Sequence, residues 1–172
     1  MEQTDVPAGT RSESDRRRLS MTVLMTPDMA NFAGNVHGGQ LLKLLDQVAY
    51  TCASRYSRHY AVTLSVDQVV FREAIHVGEL VTFQASVNYT GRTSMEIGIR
   101  VTTEDLVDLR VRHTNSCYFT MVALDADRRP VEVPPLVPET PDQHRRHAAA
   151  LRRRELRREI EQRSAEIRQG GD

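Results

Sequence analysis

A short loop and the apolar run that follows it hold the groups in this chain best suited to chemistry on a carbonyl carbon. The loop ends at residues 35–39, which read Asn-Val-His-Gly-Gly, and Asp46 interrupts the run at residues 40–53. The run is otherwise mostly apolar and helix-forming, so we expect a helix that other structure covers deeply. A buried, ionised acid is costly unless it is paired or hydrogen-bonded, and such positions are often functional. Asp46 is therefore the first candidate catalytic residue.

The start of this helix offers a way to polarise a carbonyl group. The first N–H groups of a helix lack intrahelical acceptors and carry partial positive charge, so they can hold an oxyanion. Gly38 and Gly39 let a ligand approach this backbone because they have no Cβ. Asp46 can act as a general base or a nucleophile, Asn35 can orient water or the carbonyl, and His37 can fix the turn or contact the substrate. Together these are the parts of an acyl-transfer site.

The spacing of these groups favours a site shared by two chains. Gly38 and Asp46 are eight residues apart, which is about 12 Å along the axis of a straight helix. One reacting carbon cannot contact both. If two such helices run antiparallel across a two-fold axis, the start of one lies beside the middle of the other, and two equivalent composite sites form. We therefore expect at least a homodimer.

Each motif also has a purely structural explanation. A Gly-Gly pair often precedes a helix, and a histidine beside it, such as His37, is more often a capping or packing residue than a catalyst. Asp46 is the stronger candidate because an aliphatic residue would be cheaper at a core position.

Composition and charge set the broad class of the protein. The chain has 172 residues, of which 40% are hydrophobic and 27% charged, as is ordinary for one soluble domain with tails. Lys plus Arg and Asp plus Glu are 23 each, so the net charge gives no reason to expect a nucleic-acid partner. We expect a cytoplasmic protein without a membrane segment, because residues 1–20 lack a signal-peptide core and no run could span a bilayer. Cys52 and Cys117 lack a metal-ligand pattern, so we expect structural thiols and no metal site.

The elements that must position the candidate residues follow from periodicity. A strand is predicted from Leu19 to Thr26, and a helix from about Gly38 to Arg55. Four later segments rich in β-branched and aromatic residues predict further strands. They are residues 62–71, 79–90, 93–103 and 111–124. The order of one strand, one helix and four strands predicts an α+β fold in which an antiparallel sheet packs around one long central helix.

Segments on either side of this domain, which we place at residues 19–128, differ in composition. Residues 1–18 are polar and charged and are predicted to be a disordered tail. Residues 129–142 contain five prolines and predict an extended linker. Residues 143–172 interleave Glu and Arg at helical spacing and have only a weak apolar stripe. We expect a charged, solvated helix there that is available to a neighbouring subunit, rather than a nucleic-acid-binding arm.

Residues 35–39 together with Asp46 resemble the active-site helix of hotdog-fold acyl-CoA thioesterases, in particular the cytosolic long-chain acyl-CoA hydrolases and their bacterial YciA-type relatives. The resemblance spans about residues 19–125 and continues, in order, in Val66-Asp67-Gln68-Val69-Val70-Phe71, Val77-Gly78-Glu79 and Tyr89-Thr90-Gly91-Arg92-Thr93-Ser94-Met95. It implies the hotdog fold and hydrolysis of fatty acyl-CoA to free acid and CoA, without a metal or organic cofactor. It also implies that Asp46 and Asn35 carry catalysis, that the glycine backbone polarises the carbonyl, and that three dimers form a hexamer.

Coenzyme A is a polyanion, so the resemblance also requires donors for its phosphates. The turn at residues 90–94 offers backbone N–H groups, hydroxyls and a guanidinium. Its residues are Thr90, Gly91, Arg92, Thr93 and Ser94, of which glycine and serine are also ordinary turn residues. Arg72 is a weaker candidate for the same phosphates, with a solvated surface arginine as the alternative.

Two other functions stay open at this point. A hotdog hydratase or dehydratase would use a histidine and an acid, and His37 keeps that function in view, although the Asn-x-His-Gly-Gly context argues against it. A non-catalytic acyl-CoA sensor is disfavoured because a binding protein would gain more from an apolar residue at position 46. Within the thioesterase function, Asp46 has two possible roles, direct attack on the carbonyl carbon or activation of water.

Overall fold

A long helix lies against one face of a five-stranded antiparallel sheet in the computed structural model, which describes residues 16–71 and 73–169. The predicted order of strand, helix and four strands is confirmed, and so is the α+β class. The elements are β1 (Arg18–Leu24), a short 3-10 turn (Pro27–Met29), α1 (Gly38–Ser57), β2 (Tyr60–Val66), β3 (Leu80–Thr90), β4 (Ser94–Glu104), β5 (Val111–Leu124) and α2 (Pro141–Gln169).

The sheet has the strand order β1-β3-β4-β5-β2, and each neighbouring pair is antiparallel. β1 and β2 are therefore the two edges. β3 and β5 bury mostly alternate residues, as expected for strands that cover the core with one face. In β4, residues 95–99 are all buried, so both faces of this strand are covered there. In β2 the register with β5 shifts between Thr63 and Ser65, so this edge strand carries an irregularity.

One face of α1 packs on the inner face of the sheet. Its buried residues recur every three or four positions, as in an amphipathic helix. They are Leu41, Leu45, Val48, Ala49, Cys52, Ala53, Tyr56 and Ser57. The opposite face, which includes Asp46, is exposed in the single chain. We expected other structure to cover this helix deeply. Within one chain that is true of the face toward the sheet and wrong for the face that carries Asp46.

Both cysteines lie in the core between α1 and the sheet. Cys52 and Cys117 are completely buried and free. Burial away from water disfavours the thiolate and raises the pKa of each thiol to about 12. Both side chains therefore act as small apolar residues, as the sequence predicts.

The strand predicted to continue through Phe71 ends earlier, and that prediction is wrong. The last ladder contact of this edge is the bond from Asp67 N–H to the carbonyl of Tyr118, at 3.0 Å. The Asp67 carboxylate accepts a hydrogen bond from Arg157 Nε of α2, at 2.7 Å. After Asp67 the described residues form an irregular loop up to Gly78, and Phe71 in this loop is exposed. The apolar character of this stretch therefore belongs to a surface loop, not to a buried strand.

The segments on either side of the sheet are packed against it where the structure describes them. Residues 1–15 of the predicted tail lie outside the described residues. Arg17 is only 7% exposed, and its guanidinium donates to the carbonyl of Val137 at 2.8 Å. The Pro-rich segment, residues 130–140, bonds the end of the sheet: Val133 N–H donates to Arg92 O at 3.0 Å.

The expectation that the C-terminal helix is solvated is wrong for the part of α2 that crosses the outer face of the sheet. Ala150 is fully buried there. Glu96 of β4 is 2% exposed, and both Arg153 and Arg157 of α2 donate to its carboxylate. A buried carboxylate needs such partners because its desolvation is costly. Ion pairs, rather than an apolar stripe, therefore hold α2 on the sheet.

Candidate active site

Asp46 lies on the uncovered face of α1, and a threonine of the neighbouring edge strand orients it. Thr63 Oγ1 donates to Asp46 Oδ1 at 2.5 Å. The partner is neutral, and no cationic side chain of the described residues forms an ion pair with Asp46. The carboxylate is thus held in position while its second oxygen is available for water or substrate. Sequence reasoning missed Thr63; the register shift of β2 at this residue is visible only in the sheet.

His37 caps the start of α1. Its Nδ1 accepts a hydrogen bond from Gly39 N–H at 2.9 Å. A nitrogen that accepts carries a lone pair, so the ring proton of neutral His37 is on Nε2. A Cβ on Gly39 would lie 3.2 Å from this Nδ1, so the cap explains why position 39 is a glycine. Of the roles predicted for His37, the structure supports the one that fixes the turn.

Gly38 supplies the free donor at this helix start. Because His37 occupies Gly39 N–H, the predicted pair of oxyanion donors is reduced to one in this structure. Gly38 N–H makes no hydrogen bond within the described part of the chain. A Cβ at Gly38 would lie 3.7 Å from the ring of Phe71, so this aromatic side chain forms one wall beside the donor. Gly38 N–H is therefore a donor without a partner among the described residues, and Phe71 packs beside the same glycine.

Asn31 closes the loop before α1 and was not recognised from the sequence. Its Oδ1 accepts from Ala33 N–H at 2.9 Å and from Asn35 N–H at 3.2 Å. Gly34 has φ +79°, which an L side chain rarely adopts, and this permits the tight turn. With Oδ1 fixed by two backbone donors, the Asn31 amide is oriented and its NH2 group is left to donate elsewhere. In the sequence, the only local sign of this turn is Asn31 itself, which lies five residues before Val36.

Asn35 is tied to a second loop by His76. Asn35 Oδ1 and His76 Nδ1 are 2.9 Å apart, and because an amide oxygen only accepts, His76 donates. His76 N–H in turn donates to Glu79 Oε2 at 2.8 Å. Arg112 donates to both carboxylate oxygens of Glu79 at 2.8 Å. These contacts fix the loop that carries Phe71 and His76 against the start of α1, and none of the three partners was predicted as part of the site.

Within one chain the predicted residues form two separate groups. Asn35, His37, Gly38 and Gly39 meet at the start of α1, whereas Asp46 lies two turns further along it, about 12 Å at the helical rise. No hydrogen bond joins the two groups among the described residues. A single chain therefore does not complete the predicted constellation.

The predicted CoA-binding turn lies at the far end of the sheet, beside the end of α1. The turn is closed by the bond from Gly91 N–H to Ser94 O at 2.8 Å. Thr90 contacts the Pro-rich segment, because its Oγ1 accepts a hydrogen bond from Leu136 N–H at 2.9 Å. Arg92 is exposed, Thr93 and Ser94 are partly exposed, and Arg92 forms no ion pair with the described residues. Arg72, the weaker candidate, lies outside the described residues.

Two structural observations concern metals and membranes. No group of three or more His, Cys, Asp or Glu side chains suited to a metal ion occurs in residues 16–71 and 73–169. In the same ranges neither helix combines the length and the apolar character needed to cross a membrane.

Comparison with known proteins shows which proteins this chain resembles. The chain is 50% identical over 144 residues to protein VdlD of Helicobacter pylori. The aligned residues cover 84% of this chain and 82% of that protein. It is 36% identical over 129 residues to the cytosolic acyl coenzyme A thioester hydrolase of Rattus norvegicus, covering 74% of this chain and 34% of that protein.

Solved structures share the fold. An apo-hexameric acyl-CoA thioesterase superposes with a TM-score of 0.81 at 33% identity, covering 85% of this chain and 94% of the other. An acyl-CoA hydrolase of Staphylococcus aureus, solved with butyryl coenzyme A, coenzyme A and coenzyme A disulfide, gives 0.79 at 27% identity, covering 91% and 97%. Three alanine variants of that enzyme, at an asparagine, an aspartate and a threonine, superpose with TM-scores of 0.81, 0.78 and 0.75 and cover 94%, 91% and 91% of this chain. Residues 33–109 match the thioesterase superfamily, and the chain belongs to this family of hotdog-fold enzymes.

Proposed function

We propose that the protein hydrolyses acyl-CoA thioesters at a site built from Asp46 and the start of α1. The observation that carries this proposal is a carboxylate held by Thr63 on an uncovered helix face, two turns from the free Gly38 N–H. Asp46 activates water or attacks the carbonyl carbon, and Gly38 N–H stabilises the oxyanion. The C–S bond then breaks and CoA leaves once its sulfur takes up a proton. When water attacks, the free acid forms in the same step; when Asp46 attacks, a water molecule hydrolyses the anhydride and releases the free acid. No metal or organic cofactor takes part in these steps.

Asn31 is the asparagine that we place beside the reacting carbonyl. The alanine variants of the Staphylococcus aureus enzyme are at positions 28, 43 and 60 of that chain, so its asparagine precedes the aspartate by 15 residues and its threonine follows it by 17. Asn31, Asp46 and Thr63 have the same residue types at the same two spacings. The Asn31 amide is oriented by two backbone donors and has its NH2 group available. Asn35, which the sequence favoured, then supports the site through His76.

The uncovered face around Asp46 supports a site shared between two chains. Leu42 and Tyr50 lie one turn before and after Asp46 on α1, and they are 40% and 41% exposed. Other large apolar side chains next to this face are also exposed: Phe32, Leu64, Val66 and Phe71. So much apolar surface beside an edge strand is typical of a subunit interface. A second copy packed antiparallel on α1 would cover it and bring its own helix start to Asp46.

The larger assembly and the CoA contacts complete the proposal. The hexameric relative supports a hexamer built from three such dimers. The turn at residues 90–94 lies at the end of the sheet nearest the end of α1, where the free guanidinium of Arg92 can bind phosphate. The acyl chain then lies in the apolar gap between the two helices.

A panel of acyl-CoA thioesters of increasing chain length tests the function directly. We expect release of free thiol, detected with a chromogenic disulfide, to rise and fall across the panel because the apolar gap has a fixed depth. A 2-enoyl-CoA included in the panel tests the hydratase alternative, which lost support when His37 proved to be a cap. Loss of enoyl absorbance without thiol release would favour that alternative. Tight acyl-CoA binding without turnover would favour the sensor.

Mixing two inactive variants tests whether the site is shared. Asn31→Ala removes a group at the helix start, and Asp46→Asn removes the acid, so in a mixed dimer one of the two sites keeps both groups. After co-refolding at equal concentrations, we expect thiol release at about a quarter of the wild-type rate, since half the dimers are mixed and each has one complete site. Replacing Asn31→Ala by Asn35→Ala in the mixture tests the other asparagine. No recovery in mixtures shown by mass spectrometry to contain mixed dimers would contradict the shared site.

A further inference from the structure

A groove of about 880 Å³ lies on the outer face of the sheet, away from α1 and Asp46. Outward-facing residues of β1, β3, β4 and β5 form its floor, and the first turns of α2 form one wall. The volume is in the range of pockets that hold nucleotide-sized ligands, roughly 300–1,000 Å³. Its lining is polar and rich in arginine, unlike the apolar surface near Asp46.

Positive charge on this groove exceeds the negative charge around it. Four lining residues are arginines, Arg18, Arg100, Arg145 and Arg146, and one is an acid, Glu139. Because the whole chain has a net charge of zero, this surplus is a local feature. A concave surface lined by one sign of charge concentrates the field and attracts counter-ions.

The nearby carboxylates do not neutralise this surplus. Glu139 is already paired with Arg17, at 3.5 Å. Asp142 accepts from both Arg145 and Arg146, each at 2.9 Å, so one carboxylate serves two guanidinium groups. Two of these cations therefore share a single negative charge, and the first turns of α2 keep a net positive charge toward the groove.

Arg18 and Arg100 are the two cations without a partner. Neither forms an ion pair or a side-chain hydrogen bond with any residue that the structure describes, and both are exposed. Arg18 pairs with Ser86 across β1 and β3, and Ser86 pairs with Gly98 across β3 and β4, two residues from Arg100. The two Cα atoms are thus two strands and two residues apart, about 12 Å.

The floor between these two arginines is flat and polar. Gly98 has no side chain, and the buried amide of Asn88 fills the space above it, where a Cβ would lie. The hydroxyl groups of Ser86 and Ser116 also line the floor, and each is hydrogen-bonded, Ser86 to Asn88 and Ser116 to His113. A guanidinium binds phosphate oxygens through paired N–H groups, and two such groups on one face of the sheet, with Cα atoms about 12 Å apart, suit a diphosphate.

We propose that this groove binds a small ligand carrying two or more phosphate charges, with Arg18 and Arg100 as its principal contacts. The shared chemistry is a diphosphate. It can belong to a free nucleotide, which would make the groove an effector site, or to the nucleotide half of coenzyme A, in which case the CoA diphosphate lies here and not at the turn at residues 90–94. The binding itself does not depend on the proposed thioesterase activity, because the groove lies on the sheet face opposite to Asp46.

Isothermal titration of the assembled protein with inorganic pyrophosphate tests the site. We expect saturable binding that weakens as salt is raised, and a Kd that rises about tenfold or more in the double variant Arg18→Gln/Arg100→Gln. Arg129→Gln, an exposed arginine outside the groove, is the matched control and should leave Kd unchanged. Absence of saturable binding to the wild type, or equal Kd values in the wild type and the double variant, would overturn the proposal.

An ADP titration and a measurement of KM for acyl-CoA, each made with the wild type and the double variant, separate the sources of the diphosphate. If the ligand is a free nucleotide, ADP binding is lost in the double variant while KM for acyl-CoA is unchanged. If it is the nucleotide half of coenzyme A, KM rises in the same variant by a factor similar to that for pyrophosphate, with kcat little altered. A second copy of the chain seated in the groove in the assembled protein would contradict both. Failure of the thioesterase assay would leave the pyrophosphate titration interpretable.

Discussion

Replacing Asp46 by asparagine is expected to lower kcat for acyl-CoA hydrolysis by at least about a hundredfold, the usual scale for loss of a general base or nucleophile. The amide has the same shape, and its oxygen can still accept the hydrogen bond from Thr63 that now measures 2.5 Å. It cannot take a proton from water or attack the thioester carbon. KM should change little, because Asp46 is far from the turn proposed to bind CoA. Steady-state thiol release measures both constants.

Thr63→Ala is the matched variant because it removes the orienting donor and keeps the acid. We expect an intermediate kcat, about tenfold below the wild type, since the carboxylate is present but less well positioned. Thermal unfolding of the assembled protein shows whether either change also disturbs the proposed interface, since Asp46 and Thr63 are exposed in the single chain but would be covered by a second copy. Turnover of Asp46→Asn within a few fold of the wild type would remove this residue from the mechanism. Equal losses in the two variants would mean that Asp46 acts only when Thr63 holds its carboxylate.

The periodicity of apolar residues predicted the fold. It did not distinguish the residues that pack in the core from those at the proposed subunit interface. The run at residues 40–53 correctly predicted α1 and its inner face, because Leu41, Leu45 and Val48 recur at helical spacing. Leu42 and Tyr50 are also apolar but face away from the sheet. A sequence pattern reports that a position will be covered without saying whether the cover comes from the same chain. Asp46 was therefore predicted to be buried, although within one chain it is exposed.

The parts of the site that the sequence did not reveal depend on contacts between distant segments. Thr63 meets Asp46 across 17 residues, and His76 meets Asn35 across 41. Neither pair has a local pattern, because loop closure and strand register decide which side chains meet. His37 shows the opposite case, since its cap to Gly39 spans two residues and the capping role was considered from the sequence.

The C-terminal helix was misjudged because its anchoring is ionic. A weak apolar stripe predicts a solvated helix. Arg153 and Arg157 instead reach a carboxylate on β4, 57 and 61 residues away in sequence. A strand pattern does not predict a buried acid such as Glu96. The alternation of side chains shows only that Glu96 lies on the outer face of the sheet, not that another element covers it. Sequence patterns find apolar packing more readily than they find buried ion pairs.

Replacing Arg112 by methionine is expected to lower the free energy of unfolding by about 3 kcal/mol or more, because it leaves a buried carboxylate without its charged partner. Glu79 is 9% exposed and accepts two hydrogen bonds from Arg112 at 2.8 Å. Arg112 also donates to Glu73 and to the carbonyl of Ala74. These hydrogen bonds, the one to Glu79 above all, raise the pKa of Arg112 above its ordinary value, so it is charged wherever the protein is folded. Denaturant unfolding at one fixed protein concentration measures the difference.

Arg163→Met is the control, since Arg163 and Glu159 form an ion pair at 2.6 Å that is mostly exposed, and such pairs contribute about 1 kcal/mol or less. A second variant separates the unpaired charge from the lost packing. Arg112→Met/Glu79→Leu removes both charges, so it should recover most of the stability, as replacement of buried ion pairs by apolar residues often does. It should not recover kcat, because His76 N–H loses its acceptor and no longer holds its ring on Asn35. Equal stability of Arg112→Met and Arg163→Met would contradict the view that the Arg112–Glu79 ion pair fixes the loop. Recovery of both stability and kcat in Arg112→Met/Glu79→Leu would show that the loop supports the site without Glu79.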